Sequence, residues 1–154
     1  MSARPAPCSR PGSSPGEGRV ITAGVAFALA AALHAGFQLT VTVLVYPVLA
    51  RVPASSWSDA HARHSRLIVP LVGVTYAGLV ATGAWLLASS PGPLGVAAVL
   101  AATGSLVVTA VAAAPIHGRL LTPDPALLRR LLAVDRLRGL CAVLALVLAV
   151  VALG

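Results

Sequence analysis

The sequence predicts an all-α membrane protein, a four-helix transmembrane bundle, and three observations carry this prediction. Hydrophobic residues make up 58% of the 154 residues and charged residues only 10%, with a mean hydropathy of +0.92. The apolar residues fall into four blocks, and residues 20–50 contain no formal charge. Such blocks approach or exceed the ~20 residues that a helix needs to cross a bilayer. They lack the alternation of transmembrane barrel strands.

The chain divides into a tail and one membrane domain. Residues 1–19 are rich in Pro, Ser, Gly and Arg with almost nothing to bury, which predicts a disordered tail. Residues 20–154 form the membrane domain. Its helices are predicted at about residues 20–49, 56–88, 94–114 and 125–153. The last of these begins with Asp124 as N-cap and Pro125 at the first helical position.

The first helix carries a polar stripe. His34, Gln38 and Thr42 recur every four residues, and we expect them to face the bundle because lipid cannot satisfy polar groups. Tyr46 and Pro47 close this helix at the membrane interface. The other helices offer no His at the depth of His34, so we expect it to bond to Gln38 or a facing Thr hydroxyl. It then forms the floor of a ligand pocket.

Small side chains recur every four residues on the first three helices and allow close helix contacts. The predicted faces are Ala28, Ala32 and Gly36; Gly73, Ala77 and Ala81; and Ala97, Ala101, Ser105, Thr109 and Ala113. Such faces could also support a homo-oligomer.

The fourth helix has an Arg-rich first half. Only residues 139–154 are free of charge, a length of about 24 Å at the helical rise per residue, which is slightly short of a full span. We therefore expect Asp135, Arg136 and Arg138 at the membrane edge, with Asp135 paired to one of the two Arg.

The net charge of +7 rests on Arg residues beside the hydrophobic blocks. This placement predicts contacts with the lipid bilayer and its anionic headgroups, and no nucleic-acid binding. Eight Arg lie in or beside the first and third loops and three lie in the tail. The positive-inside rule then predicts a multi-pass protein of the plasma membrane, with two cytoplasmic Arg-rich loops and both termini outside.

A faint internal repeat relates the two halves of the chain. The pattern Thr42…Pro47-x-x-x-Arg51 resembles Thr109…Pro115-x-x-x-Arg119, and each precedes an Arg-rich restart and another span. Two parallel helical hairpins would follow from this repeat.

Folding these helices in space brings polar side chains together at the cytoplasmic interface. The candidate pocket comprises Tyr46, His61, His64, Arg66, Thr109, His117, Asp135 and Arg138, with His34 and Gln38 deeper in the membrane. His64, His117 and Arg138 are the expected lining.

The three interfacial His leave two interpretations open. His61 and His64 are three residues apart on one helix and can share a ligand, and with His117 they could hold a transition metal or a haem. The other interpretation, which carries more weight, is of partly solvated imidazoles close to lipid phosphates. Carboxylate-bridged metal sites need several inward acids, and this chain has only four acidic residues.

The sequence leaves the activity undetermined between two main classes and a third, a transporter subunit, which with 154 residues and four spans would have to oligomerise to enclose a path. One is a membrane protein that binds a small molecule or lipid headgroup at the interfacial pocket. The alternative is a membrane-bound oxidoreductase or oxygenase-like enzyme that uses the His cluster. Phosphate-binding loops, nucleophile elbows and zinc-protease motifs are absent from the sequence.

Several short motifs share a pattern with known membrane proteins. They are Tyr46-Pro47, the run from His61 to Arg66 with Pro70, Thr109, the run from Pro115 to Leu120, and Arg138. With these the chain resembles a family of small four-span bacterial membrane proteins of uncharacterised function. It departs from the Asn-Trp-Ile-Arg-like run of that family, with Asp135-Arg136-Leu137-Arg138 instead. It is more distantly similar to anthrone-oxygenase-like membrane proteins, which implies cofactor-free oxidation of polyphenols.

Overall fold

The computed structural model describes residues 21–154, and this part of the chain is all-helical, as predicted, with no strand. The predicted tail, residues 1–19, lies outside the described residues. Four long helices follow one another: α1 is Ala23–Leu49, α2 is Trp57–Ala88, α3 is Pro93–Arg119 and α4 is Pro125–Val151. A single 3-10 turn, Ala54–Ser56, leads into α2.

Three of the four helices are long and apolar enough to cross a membrane: α1, α2 with its leading turn, and α3. The fourth helix differs because charged residues occupy its first half: Arg129, Arg130, Asp135, Arg136 and Arg138. The apolar second half of α4 alone is shorter than a full span, in agreement with the short uncharged segment in the sequence.

Proline shapes α1 and α3 in the same way. A π-helical turn, Val41–Val45, lies just before Pro47, and a second one, Thr109–Ala113, lies just before Pro115. Proline lacks an N–H and its ring crowds the carbonyl one turn earlier, so a wider turn removes the clash without ending the helix. As a result α3 continues to Arg119, past the end predicted at residue 114. The two π turns lie at the positions that the predicted repeat relates.

The helices contact one another unequally. α3 and α4 share the most extensive contact, α1 packs on both α4 and α2, and α2 meets α3 only weakly. Small side chains explain the close contact of the first pair, since Ala98 and Ala102 of α3 lie in one buried cluster with Ala145 and Ala149 of α4. The weak contact between α2 and α3 leaves space between these helices.

The end of α1, the start of α2 and the connection from α3 to α4 lie together, and we call this end of the bundle the loop end. A buried cluster joins these parts, with Leu49, Trp57, Leu120 and Leu131 among its members. The indole Nε1 of Trp57 donates to the carbonyl of Leu120 at 3.1 Å. This bond connects the start of α2 to the segment between α3 and α4.

The predicted small-residue faces are only partly buried. On α2, Gly73, Ala77 and Ala81 are exposed, and on α1 Ala32 and Gly36 are exposed as well. We expected these two faces to make close contacts within the bundle, and in the structure they do not. The homo-oligomer that they would support stays a prediction.

The inner face of α1 consists of a different set of residues. Phe27, Ala31 and Ala35 are buried there together with His34 and Gln38. The two polar side chains have partners inside the bundle, and burying them turns the neighbouring face outward.

Candidate functional site

A buried carboxylate joins α1 to α4. Asp135 is fully buried and accepts hydrogen bonds from Gln38 Nε2 at 2.6 Å, from Arg138 Nη1 at 3.1 Å and from the hydroxyl of Thr42. Asp135 therefore lies inside the bundle and is paired with Arg138, one of the two partners expected for it, while its position at the membrane edge stays a prediction. The polar stripe of α1 supplies the donors that satisfy the carboxylate inside the bundle.

Arg138 continues this network toward α2 and α3. Its side chain is only 5% exposed, and its Nη2 donates to the hydroxyl of Tyr76 at 3.2 Å. The hydroxyls of Tyr76 and Thr109 are 2.6 Å apart, and Thr109 donates to the carbonyl of Ser105 at 2.8 Å. Tyr76 therefore donates to Thr109, since the hydroxyl of Thr109 has one hydrogen. Within residues 21–154, the Nε of Arg138 has no partner.

Tyr76 was missed by the sequence analysis. A tyrosine in the interior of an apolar span is a signal that could have found it, because a buried phenol needs a hydrogen-bond partner. The relevant partner, Arg138, lies on a different helix, so the signal would not have identified the contact.

His34 lies deep in the bundle, as predicted, but with other partners. Its Nε2 is 3.4 Å from the hydroxyl of Ser105, and its ring meets the ring of Tyr76 edge-on at a centroid distance of 5.4 Å. Gln38 is engaged by Asp135 instead, so the expected bond between His34 and Gln38 is not formed. His34 therefore contacts the network through Tyr76 and Ser105.

Nearer the loop end, His residues from α2 and α3 meet Tyr46 of α1. His117 Nε2 is 2.8 Å from the hydroxyl of Tyr46, and His117 Nδ1 is 3.4 Å from His61 Nε2. The ring of His64 stacks on that of His117 at a centroid distance of 5.9 Å. Since the ring-to-ring distance of His61 and His117 is 5.6 Å, all three imidazoles lie together.

Trp57 holds His61 in place. The indole is 1% exposed and stacks on the imidazole at a centroid distance of 5.5 Å and an interplanar angle of 11°. Because Trp57 is also bonded to the carbonyl of Leu120, the position of His61 is set relative to the end of α3. The sequence analysis did not assign this role to Trp57.

The arrangement of the His cluster favours hydrogen bonding over metal binding. Among residues 21–154, no group of three His, Cys, Asp or Glu side chains is placed to hold a metal ion. His61 and His117 are nearly parallel to one another, as are His64 and His117, with interplanar angles of 21° and 25°. His117 Nδ1 instead lies at hydrogen-bond distance, 3.4 Å, from His61 Nε2.

A cavity of about 280 Å³ lies between α1, α2 and α3, beside the weak contact of α2 with α3. Its walls are apolar, formed by Phe37, Val41, Ile68, Val69, Val72, Ala113 and Ala114. Its polar groups are Tyr46, Ser65, Thr109, His117 and Arg138. Four of these five were candidate pocket residues in the sequence.

The other candidate pocket residues lie elsewhere. His64 lines a separate open groove of about 620 Å³ with Asp59 and Arg63. Arg66 is exposed, its Nε donates to the carbonyl of Ala62 at 3.4 Å, and it does not line the cavity, so its assignment to a pocket stays a prediction. Arg66 follows Ser65, which lines the cavity, and the helical rotation of about 100° per residue turns its side chain away.

His34, Gln38 and Asp135 form a layer behind Arg138 and do not line the cavity. His61 contacts the cavity only through His117. The site therefore has a cavity wall, a buried network that holds Arg138, and a His pair that reaches the loop end.

No protein-family model, no curated protein and no solved structure matches this chain. The resemblance to a bacterial four-span family and the distant similarity to anthrone-oxygenase-like proteins stay predictions.

Proposed function

We propose that this protein is a multi-pass membrane protein that binds a compact amphiphilic small molecule in the cavity between α1, α2 and α3. The four helices would form a transmembrane bundle of two parallel hairpins, with the loop end in the cytoplasm. The three long apolar helices and the repeated π turns support this arrangement. The observation that carries the binding proposal is the cavity. Its walls are apolar, and its polar groups come from all four helices.

The polar groups of the cavity favour a ligand with an oxygen atom that accepts a hydrogen bond. Arg138 offers hydrogens at the cavity wall, and no carboxylate lines the cavity. The Nε of Arg138, buried and without a partner among the described residues, adds an unused donor. A buried unpaired donor is costly, and a ligand oxygen would remove that cost.

The charge balance favours a neutral or weakly acidic oxygen over a phosphate. Arg138 is already paired with Asp135, so the network beside the cavity carries no net charge. A phosphodiester brought into this apolar space would bury a second anion without a second cation. A carbonyl or phenol oxygen avoids this cost, so we favour a small molecule over a lipid headgroup.

The size of the cavity favours a ligand of one or two rings or a single short chain. Its volume of about 280 Å³ lies just below the usual range of ligand pockets, which typically measure about 300–1,000 Å³. The weakly packed seam between α2 and α3 gives such a ligand a route from the bilayer.

Fluorescent 2-naphthol tests this proposal because it combines an apolar body with one phenol. We expect saturable binding to the purified protein in nanodiscs of phosphatidylcholine. Val72→Trp should abolish binding by filling the cavity, whereas the matched change Val74→Trp should leave it intact, since Val74 is 75% exposed on the same helix. Equal binding by both variants would overturn the assignment of the cavity. Loss of probe binding when the protein is instead reconstituted in nanodiscs of phosphatidylglycerol would favour a lipid headgroup as the ligand.

One observation favours the alternative, an oxygenase-like enzyme at the same cavity. The hydroxyl of Tyr46 lies at hydrogen-bond distance from His117 Nε2, and an imidazole in this position can act as a base toward a phenol. Oxygen uptake with an anthrone that disappears in His117→Gln would support this function. A Soret band or stoichiometric metal that disappears in the same variant would support a haem or metal version.

A further inference from the structure

A continuous chain of hydrogen-bonding groups connects the cavity to the loop end. Tyr46 lines the cavity, its hydroxyl lies 2.8 Å from His117 Nε2, and His117 Nδ1 lies 3.4 Å from His61 Nε2. Tyr46 is 5% exposed, whereas His61 is partly exposed at the start of α2. The chain therefore begins at a buried hydroxyl and ends at a side chain that water reaches.

Both ring nitrogens of His117 are engaged within this chain. An imidazole can take a proton at one nitrogen and release the other nitrogen's proton, which moves charge across the ring without moving the side chain. Since each member comes from a different helix, the packing of α1, α2 and α3 sets the two distances. Trp57 keeps His61 in line by stacking on it.

The ionisable groups that face His117 come from three elements. Tyr46 faces it from α1, His61 and His64 face it from α2, and Arg138 shares the cavity wall from α4. His64 stacks on His117 but makes no hydrogen bond with it, and its own buried Nε2 has no partner within residues 21–154. His64 is therefore a neighbour of the chain and not a member.

We propose that Tyr46, His117 and His61 form a proton relay between a ligand in the cavity and the water at the loop end. The proposal rests on the proposed function, since the ligand is one end of the relay. A ligand hydroxyl gives its proton to the oxygen of Tyr46 as the phenolic proton passes to His117 Nε2. The proton on His117 Nδ1 then passes to His61 Nε2, and His61 releases one to water. Tyr46, His117 and His61 have then each gained and lost one proton, the ligand has lost one and water has gained one. The reverse sequence delivers a proton to the ligand.

Time-resolved fluorescence of bound 2-naphthol tests the relay, because this probe becomes a strong acid when excited. In the wild-type protein we expect emission from the naphtholate anion as well as from naphthol. His117→Gln should lose the naphtholate emission, because an amide does not pass a proton on. His64→Gln, the matched control beside the chain, should keep it.

His61 should control how long the bound 2-naphthol stays deprotonated. In His61→Gln the proton reaches His117 but has no route to water, so we expect the naphtholate band to persist with a shorter decay through recombination. Each variant is first shown to bind the probe. Bound probe without naphtholate emission in the wild type, or with undiminished emission in His117→Gln, would overturn the relay and leave the binding proposal standing.

The relay also has a test that needs no ligand. In protein labelled with 15N-histidine, the ratio of the two tautomers of His117 should change in His61→Gln and stay the same in His64→Gln. If 2-naphthol does not bind, the proposed binding function fails for this probe and the NMR measurement decides the relay. An unchanged ratio in His61→Gln would overturn it.

Discussion

The change Asp135→Asn should destabilise the bundle far more than its small chemical difference suggests. Asn has the shape of Asp and still accepts a hydrogen bond from Gln38 through its amide oxygen. What disappears is the negative charge that faces Arg138 at 3.1 Å, where both side chains are at most 5% exposed. The guanidinium would then be a buried charge without a counter-charge.

The size of the effect follows from the contacts that remain. Removing one partner of a buried ion pair costs about 3–5 kcal/mol. Arg138 keeps its hydrogen bond to Tyr76, so we expect the lower end of this range, about 3 kcal/mol, out of a total stability of about 5–15 kcal/mol. The double change Asp135→Asn with Arg138→Met should recover more than half of the loss, since no isolated charge is left.

The free energy of unfolding is measured in detergent micelles by adding sodium dodecyl sulfate and following helix content by far-ultraviolet circular dichroism. Asp124→Asn is the matched control, because it makes the same change at the N-cap of the same helix, where Asn caps about as well as Asp. A loss below about 1 kcal/mol for Asp135→Asn, the size typical of an exposed pair, would refute the reasoning. A double variant as unstable as the single one would refute it as well.

Three further predictions concern the loop end, an exposed helix face and the orientation. Trp57→Phe should cost about 1–3 kcal/mol, because the buried carbonyl of Leu120 loses its donor; the same unfolding measurement checks this. Gly78→Ala should raise the free energy of unfolding by about 0.5–1 kcal/mol in that assay, since an added Cβ meets nothing within 4 Å and the position lies inside α2. In a variant whose native cysteines are replaced by serine, Ser90→Cys should react with a membrane-impermeant maleimide in intact cells, and Thr122→Cys only after lysis. The opposite labelling pattern would refute the proposed orientation.

The polar residues of α1 illustrate how far the sequence reaches. The spacing of Gln38 and Thr42 predicts that both face the bundle, and both do, with Asp135 as their shared acceptor. The short uncharged segment of α4 predicts this acceptor at the membrane edge and does not predict its burial among the helices. Local sequence contains no information on the rotation of α4 about its axis, which is what brings the carboxylate inside.

The end of α3 illustrates a different limit. Proline in a helical pattern usually marks an end, and the sequence predicts that α3 ends at about residue 114, just before Pro115. A π turn accommodates the proline, and His117 therefore lies on a continuing helix with both ring nitrogens in contact with other helices. Whether a proline ends a helix or widens it depends on the packing around it.

The sequence by itself determined that residues 21–154 are all-helical, where the apolar blocks lie, and that Tyr46, His117 and Arg138 belong to one end of the bundle. These properties follow from composition and helical spacing, which are local. Only the tertiary structure decided that Arg138 is paired inside the bundle and that Arg66 is outside. It also decided which small-residue faces are buried, and that Tyr46, His117 and His61 form one chain beside a cavity. These features depend on the rotation of each helix against its neighbours, and that rotation results from the joint burial of polar groups on several helices.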